Sequence, residues 1–298
     1  MNRVSVEHLT DPAFLASLQP LRIVARRVVR GGRHAEHLSR QRGSGLEFAD
    51  YRAYTPGDDL RAIDWNIYRR LGRVFVRLFE EQQDLPLYVL PDVSSSLHFE
   101  PDSPRARACL QTTLAIASVS LNQHDRVGIF PFAEELRVHE APTSGKNRVL
   151  PIARRLAEVE FKDQTDLCSA LRRFGAMNLR QGLCVVVSDF FDQKGADAIV
   201  EQLGQLRHRL LLVQLFRKED RDPDLQGDLR LVDSETGEAE NVSVTPELLQ
   251  RMQTAYDQHQ QALVDFARTR SAGFLRIDVD QPIVPQLAQV FEEGALQV

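Results

Sequence analysis

Long apolar runs are missing from this sequence. None approaches the roughly 18 residues that a helix needs to cross a bilayer. The first residues, Met1 to Asp11, carry Glu7 and Asp11 and hold no apolar signal core. A cytoplasmic protein is therefore expected, with no direct membrane insertion and membrane attachment only through a partner. Cysteine is scarce as well: the chain has 3, Cys109, Cys168 and Cys184. An odd number, widely spaced and each inside an apolar-patterned element, reads as reduced core thiols. It argues against a disulfide framework or a zinc site.

Common catalytic signatures are also absent. Gly145-Lys146 does not belong to a phosphate loop, because Asn147 follows where Ser or Thr is needed and Glu140 stands where the first Gly belongs. The chain has no Gly-x-Ser-x-Gly turn and no His-Glu-x-x-His pair. His34 and His37 have helical spacing, but no further ligands accompany them, so they read as surface residues. An enzyme is not expected.

What is present is an ordinary globular balance, 43% hydrophobic and 27% charged over 298 residues. That length suits one large domain, or one domain with an appendage. The net charge of −5 hides an asymmetry: residues 1–77 hold 14 Lys+Arg against 8 Asp+Glu (+6), and the rest hold 23 against 34 (−11). This reads first as attraction between the two parts, and second as a basic surface for an acidic partner.

Leu9 to Arg30 has helical spacing, interrupted at Pro20 and stopped at Gly31-Gly32, and the stretch up to Gly45 reads as loop. Pro56-Gly57 has turn chemistry, and Asp58 or Asp59 can cap a short helix holding Leu60, Ile63 and the single Trp65. Arg73 to Glu81 alternates as a half-exposed strand. From Leu87 the pattern changes to alternating strands and helices. The strands are Leu87 to Leu90, Arg126 to Phe132 with a partner at Leu136 to His139, Leu183 to Val187, Arg209 to Phe216 and Phe274 to Asp278. Helices are read near 103–122, 147–159, 163–177, 196–207, 246–270 and 284–291. A hairpin is read around Glu235-Thr236-Gly237-Glu238. This implies an α/β fold, a mostly parallel sheet with helices on both faces, preceded by a small β-rich N-terminal module.

The strand Leu87 to Leu90 runs into Asp92-Val93-Ser94-Ser95-Ser96, and the strand Leu183 to Val187 runs into Ser188-Asp189. Strand carboxyl ends share one edge of a parallel sheet, where such folds place their ligands. Asp92, Ser94, Ser96, Thr165 and Asp189 can meet there. All are hard oxygen donors, which suit Mg²⁺ or a similar hard divalent ion.

Three further segments add to this pattern: Asp125-Arg126-Val127-Gly128-x-x-x-Phe132, Thr165-Asp166-Leu167 and Val185-Val186-Val187-Ser188-Asp189. With the Asp-x-Ser-x-Ser loop, their order resembles a von Willebrand factor A domain over residues from about 85 to 292. The resemblance implies a Rossmann-type α/β domain with a metal-ion-dependent adhesion site at Asp92, Ser94, Ser96, Thr165 and Asp189. Phe190 follows Asp189 where such domains commonly have Gly. A second stretch includes Glu47-Phe48, Tyr51-Arg52, Tyr54, Pro56-Gly57-Asp58-Asp59, Arg61, Ile63-Asp64-Trp65 and Val76-Arg77. It is similar to the signature of the bacterial domain of unknown function 58 family, which places such a segment before an A-type domain. The implied division is residues 1–84 for a helical and β-rich module and 85–298 for the A-like domain. Members are commonly encoded beside MoxR-type AAA+ ATPases, which implies chaperone-like or complex-assembly work with such a partner.

Neutral hydroxyl ligands and at most two carboxylates would leave Mg²⁺, Mn²⁺ or Ca²⁺ with an affinity for one more anionic oxygen, such as a Glu or Asp of a client protein. Asp58, Asp59, Arg61, Asp64 and Arg69 read as an ion-pair network of the N-terminal module and, second, as partner contacts. An alternative is a Mg-dependent phosphoester hydrolase with Asp92 and Asp189 as ligands, for which only His98 lies nearby as a base. A third class, nucleic-acid binding through the basic N-terminal part, rests on Arg69, Arg70, Arg73 and Arg77 interleaved with Tyr68, Phe75 and Phe79. The overall acidity and the alternating pattern make those aromatics core, so no nucleic-acid partner is expected.

Overall fold

The computed structural model describes residues 2–18, 27–29, 46–56, 58, 60–81, 86–99, 103–123 and 125–292. The chain falls into two units, a larger one from Met1–Ile23 with Leu85–Leu296 and a smaller one from Val24–Asp84.

The first two helices are short and capped. Ser5 accepts from Glu7 N at the start of α1 (Val6–Thr10), and Asp11 accepts from Ala13 N and Phe14 N at the start of α2 (Pro12–Ser17). Leu9 and Leu18 are fully buried. Gln111 Nε2 donates to His8 O at 2.9 Å, and Phe161 N donates to Asn2 O at 2.9 Å. The N-terminal segment therefore belongs to the larger unit, which corrects the expected 1–84 module at its start: buried leucines and backbone bonds outweigh sequence order.

The smaller unit is a three-stranded antiparallel sheet of β1 (Arg27–Val29), β2 (Leu46–Ala53) and β3 (Phe75–Glu81), in the order β1-β3-β2. Helix α3 (Trp65–Leu71) lies between β2 and β3 in sequence and ends at Gly72, whose φ is +65°. Two expectations are corrected. Arg27–Val29 lies in a stretch with helical spacing but pairs with β3, because strand pairing overrides a weak local preference for helix. The helix is capped by Asp64 rather than Asp58 or Asp59, since Leu60–Ala62 forms a separate 3₁₀ turn. The loop after Gly31, the Pro20 break, His34 and His37 lie outside the described residues.

The larger unit is built on six strands. They are β4 (Leu87–Pro91), β5 (Val127–Ile129), β6 (Glu140–Thr143), β7 (Leu183–Ser188), β8 (Arg209–Phe216) and β11 (Gly273–Asp278), the last numbered after a hairpin of β9 (Gly227–Val232) and β10 (Ala239–Val244). Their order is β11-β8-β7-β4-β5-β6, parallel throughout except for β6. Every residue of β4 and β7 is buried, as continuous apolar strands at the centre of a covered sheet require. A Cβ on Gly182 would lie 2.0 Å from Pro86 O, so only glycine lets β7 start this close to β4. Leu136 to His139 pairs antiparallel with the Arg126 to Phe132 segment as expected, through a bridge from Leu136 to Phe132 and bonds from Arg137 N to Pro131 O and from His139 N to Ile129 O. The pairing continues into β6, which forms the regular strand beside β5. Glu140 of β6 is buried and paired by Arg148 at 2.7 Å and by Arg155.

The helices are α4 (Pro104–Asn122), α5 (Val149–Ala157), α6 (Leu167–Ala176), α7 (Gly195–Gln205), α8 (Pro246–Arg270) and α9 (Ile283–Glu292). Helix α4 is buried almost all round, because it packs on β4, β7 and β8 and is in turn touched by α1, α5 and α9. On the other face Tyr88, Leu90 and Val186 meet Leu171 and Phe174 of α6, Leu203 of α7 and Phe266 of α8. The result is a mixed α/β sandwich, an open sheet with helices on both faces. Cys109, Cys168 and Cys184 are free and buried. Among the described residues, no helix is long and apolar enough to cross a membrane.

Candidate metal centre

The carboxyl ends of the central strands build the site. Pro91 pairs with Val187, so the residues that follow on each strand, Asp92 and Ser188-Asp189, emerge side by side. Asp92 is fully buried. Its Oδ1 accepts from Ser94 N at 3.0 Å and its Oδ2 from Ser188 Oγ at 2.6 Å. Ser94 Oγ and Ser96 Oγ lie 2.9 Å apart. The loop is held by backbone bonds: Asp92 N to Val187 O, Val93 N to Phe132 O, and Ser95 N to Asp163 O. Asp189 Oδ1 accepts from Phe191 N at 3.1 Å.

Thr165 precedes α6, whose N-cap Asp166 accepts from Ser169 N and pairs with Lys194 at 2.6 Å. Asp166 N donates to Ala133 O, which ties this loop to the segment that follows β5. Thr165 also holds a residue that sequence reasoning passed over. Its Oγ1 donates to Glu235 Oε1 at 2.7 Å, and its N donates to Glu235 Oε2 at 3.1 Å. The Glu235 charge also acts on Asp92.

Electrostatics sets this site apart. Burial pushes the Asp92 carboxyl up to about 6, against the hydrogen bonds from Ser188 and Ser94, and the Glu235 charge pushes the same way. Burial likewise raises Asp189 to about 7, and the Asp92 charge adds to the rise. The Arg105 charge opposes it, but that guanidinium is bonded to Asp220 through both terminal nitrogens, Nη1 and Nη2. Negative charge is thus gathered in a buried place whose nearby arginine is committed elsewhere. Cys109 Sγ donates to Asp92 O from below, and burial holds its thiol protonated, so it supplies no thiolate.

The donors are two buried carboxylates and the hydroxyls of Ser94, Ser96 and Thr165, all hard oxygens, and this set fits a hard divalent ion. Among the described residues no group of three or more His, Cys, Asp or Glu side chains is placed to hold a metal, so the hydroxyls are indispensable to such a site. His98, the base a hydrolase would need, lies against the Phe161 ring with centroids 5.6 Å apart.

The residues expected to contact partners in the smaller unit behave differently. Asp64 Oδ1 caps α3 through Asn66 N and Ile67 N, and its Oδ2 accepts from Arg77 Nε at 2.9 Å and Tyr51 OH at 3.2 Å. Asp58 accepts from Arg52 Nη2 at 2.7 Å and from Thr55 N at 2.8 Å. Burial pushes Asp64 up, but together its bonds outweigh that, and bonding holds both carboxylates below their usual range. Arg69 is exposed on α3, Arg61 lies in the turn before it, and Asp59 lies outside the described residues. Tyr68 is exposed and packs edge-on against Trp65 at 6.1 Å, so it is not the core residue that the alternating pattern suggested.

Fold and site together define a mixed α/β protein with buried carboxylates and hydroxyls at the carboxyl edge of its sheet. The family described as Protein of unknown function DUF58 matches residues 50–262, and the chain belongs to that family. Uncharacterized proteins of Mycobacterium bovis and Mycobacterium tuberculosis are 26% identical to it over 271 residues, covering 88% of this chain and 82% of each of theirs. Among solved structures, BatB of Bacteroides thetaiotaomicron aligns with 71% of this chain and 98% of its own, at 12% identity and a TM-score of 0.40. An aerotolerance-related membrane protein of Bacteroides fragilis aligns with 72% and 100%, at 14% identity and a TM-score of 0.40. Proximal thread matrix protein 1 of the mussel byssus, with a zinc-occupied MIDAS motif, aligns with 71% and 44%, at 10% identity and a TM-score of 0.40.

Proposed function

We propose that this protein is a metal-dependent protein-interaction module with no catalysis of its own, in which a von Willebrand factor A-like domain holds Mg²⁺, Mn²⁺ or Ca²⁺. Asp92, Ser94, Ser96, Thr165 and Asp189 would hold the ion. When bound, it would supply an affinity for a carboxylate presented by another protein. The observation that carries this reading is the buried pair Asp92 and Asp189 at adjacent strand ends, both carboxyls raised by burial and that of Asp189 also by the Asp92 charge. A divalent cation among them offsets that repulsion, and the serine and threonine hydroxyls add neutral donors.

The ATPase partner comes from the family resemblance: a MoxR-type AAA+ ATPase, with chaperone-like or complex-assembly work as the shared task. A client presenting an acidic residue is the second partner class. The test is a pull-down of such an ATPase on the full chain, with Mg²⁺ and with EDTA. Capture in Mg²⁺ that is lost in EDTA, and lost in Asp92→Ala under both conditions, is the expected result. Equal capture in all four arms would remove the metal from the account.

A further inference from the structure

The hairpin of β9 and β10 is built as an arm. Its strands pair with each other in a two-stranded sheet separate from the six-stranded one, and most of its residues are exposed, Leu231 and Val232 among them. Elements with so few buried contacts open at low cost. The tip, in contrast, is fixed by its own chemistry. Asp233 Oδ1 accepts from Glu235 N at 2.7 Å and from Thr236 N at 2.9 Å, Asp233 N donates to Glu238 O at 2.8 Å, and Gly237 takes φ +74°.

This turn points one side chain inward. Of residues 231–240 only Glu235 is not exposed. Its carboxylate accepts both bonds from Thr165, at 2.7 Å and 3.1 Å, and its negative charge acts on the buried Asp92. On a free arm water would solvate that glutamate with no repulsion. Its place on Thr165, where its charge opposes that of buried Asp92, is understandable if the site is one that draws carboxylates in through a cation. We propose, resting on the metal-dependent reading above, that Glu235 is the chain's own occupant of the position where a partner's carboxylate would bind. The hairpin must then swing off Thr165 before a partner engages. A tethered carboxylate acts at an effective concentration in the ~mM range, so isolated acidic groups are kept out and a partner with several contacts displaces it.

The test uses the full chain as wild type, Glu235→Ala and Glu235→Gln, with Mn²⁺ as the metal probe and acetate as the carboxylate probe. Glu235 sits at a loop tip, so the variants are expected to fold, which circular dichroism checks. Water-proton relaxation is followed while Mn²⁺ and then acetate are added. The expected result is Mn²⁺ bound by all three proteins, higher relaxivity for Glu235→Ala because a water fills the freed position, and acetate acting on that variant at a concentration about tenfold or more lower than on wild type. Hydrogen exchange at the Thr165 amide, measured without metal, is expected to speed up in the same variant. Mn²⁺ binding with identical relaxivity and identical acetate titrations would overturn the role of Glu235 and leave the metal centre standing. Unchanged Thr165 exchange would overturn the contact itself. Failure of all three proteins to bind Mn²⁺ would overturn the metal-dependent reading, and the occupant role with it.

Discussion

Phe190 follows Asp189 at φ +63°, in the left-handed region that favours glycine, yet its ring is fully buried in the core under α6 and α7. A side chain at such a φ costs about 1–2 kcal/mol, and emptying a buried phenylalanine site costs about 3–5 kcal/mol. The ring therefore wins, and the strain stays. Phe190→Ala is expected to lose about 3–5 kcal/mol in urea unfolding. Phe190→Gly is expected to lose about 1 kcal/mol less, since it empties the same space but relaxes the backbone. An alanine variant as stable as the glycine variant, or more so, would contradict the strain. The ligand candidates themselves were legible residue by residue, because Asp92 and Asp189 each end a continuous apolar run. Ser188 was not, because its bond to Asp92 depends on the pairing of Pro91 with Val187 across the sheet. Glu235 was not either: it lies 70 residues from Thr165, on an exposed hairpin whose pattern marks no site.

At the level of elements, continuous burial made β4, β7 and β8 easy to read, and caps and prolines made α4 and α8 so. Strands of three or four residues carry little periodicity, and their place is set by the edge they find. That is why β1 sat inside a helical pattern and β6, which continues the pairing begun at Leu136, was not read. Helix α3 depends on one side chain. Asp64 caps it and joins it to Arg77 of β3 and Tyr51 of β2. Trp65, the only tryptophan, opens this helix and is exposed, so its fluorescence reports on the smaller unit alone. Asp64→Ala is expected to lower the denaturant midpoint read by Trp65 fluorescence while leaving the main far-UV circular dichroism transition in place. A shift of both transitions together would show that the two units unfold as one.

For the whole molecule, the two buried carboxyls make stability depend on pH in a stated direction. Both bind protons more tightly folded than unfolded, where an aspartate titrates near ~3.9. Their contribution is therefore fully present below that value and is lost as pH rises through about 6 for Asp92 and about 7 for Asp189. In EDTA the melting temperature is expected to fall between about pH 4 and pH 7. Added Mg²⁺ is expected to restore it at the upper end, because an ion that binds only the folded chain stabilises it. Asp92→Asn is expected to flatten the slope. A profile in EDTA that rises over this interval would refute the assignment.

The rim of the large sheet at β6 bears on how these molecules behave in a crowd. The strand is only four residues long, Pro142 offers no amide hydrogen, and Glu140 is clasped by two guanidinium groups. A stray strand arriving there finds almost nothing to zip onto, so on that flank the sheet is closed to templated growth.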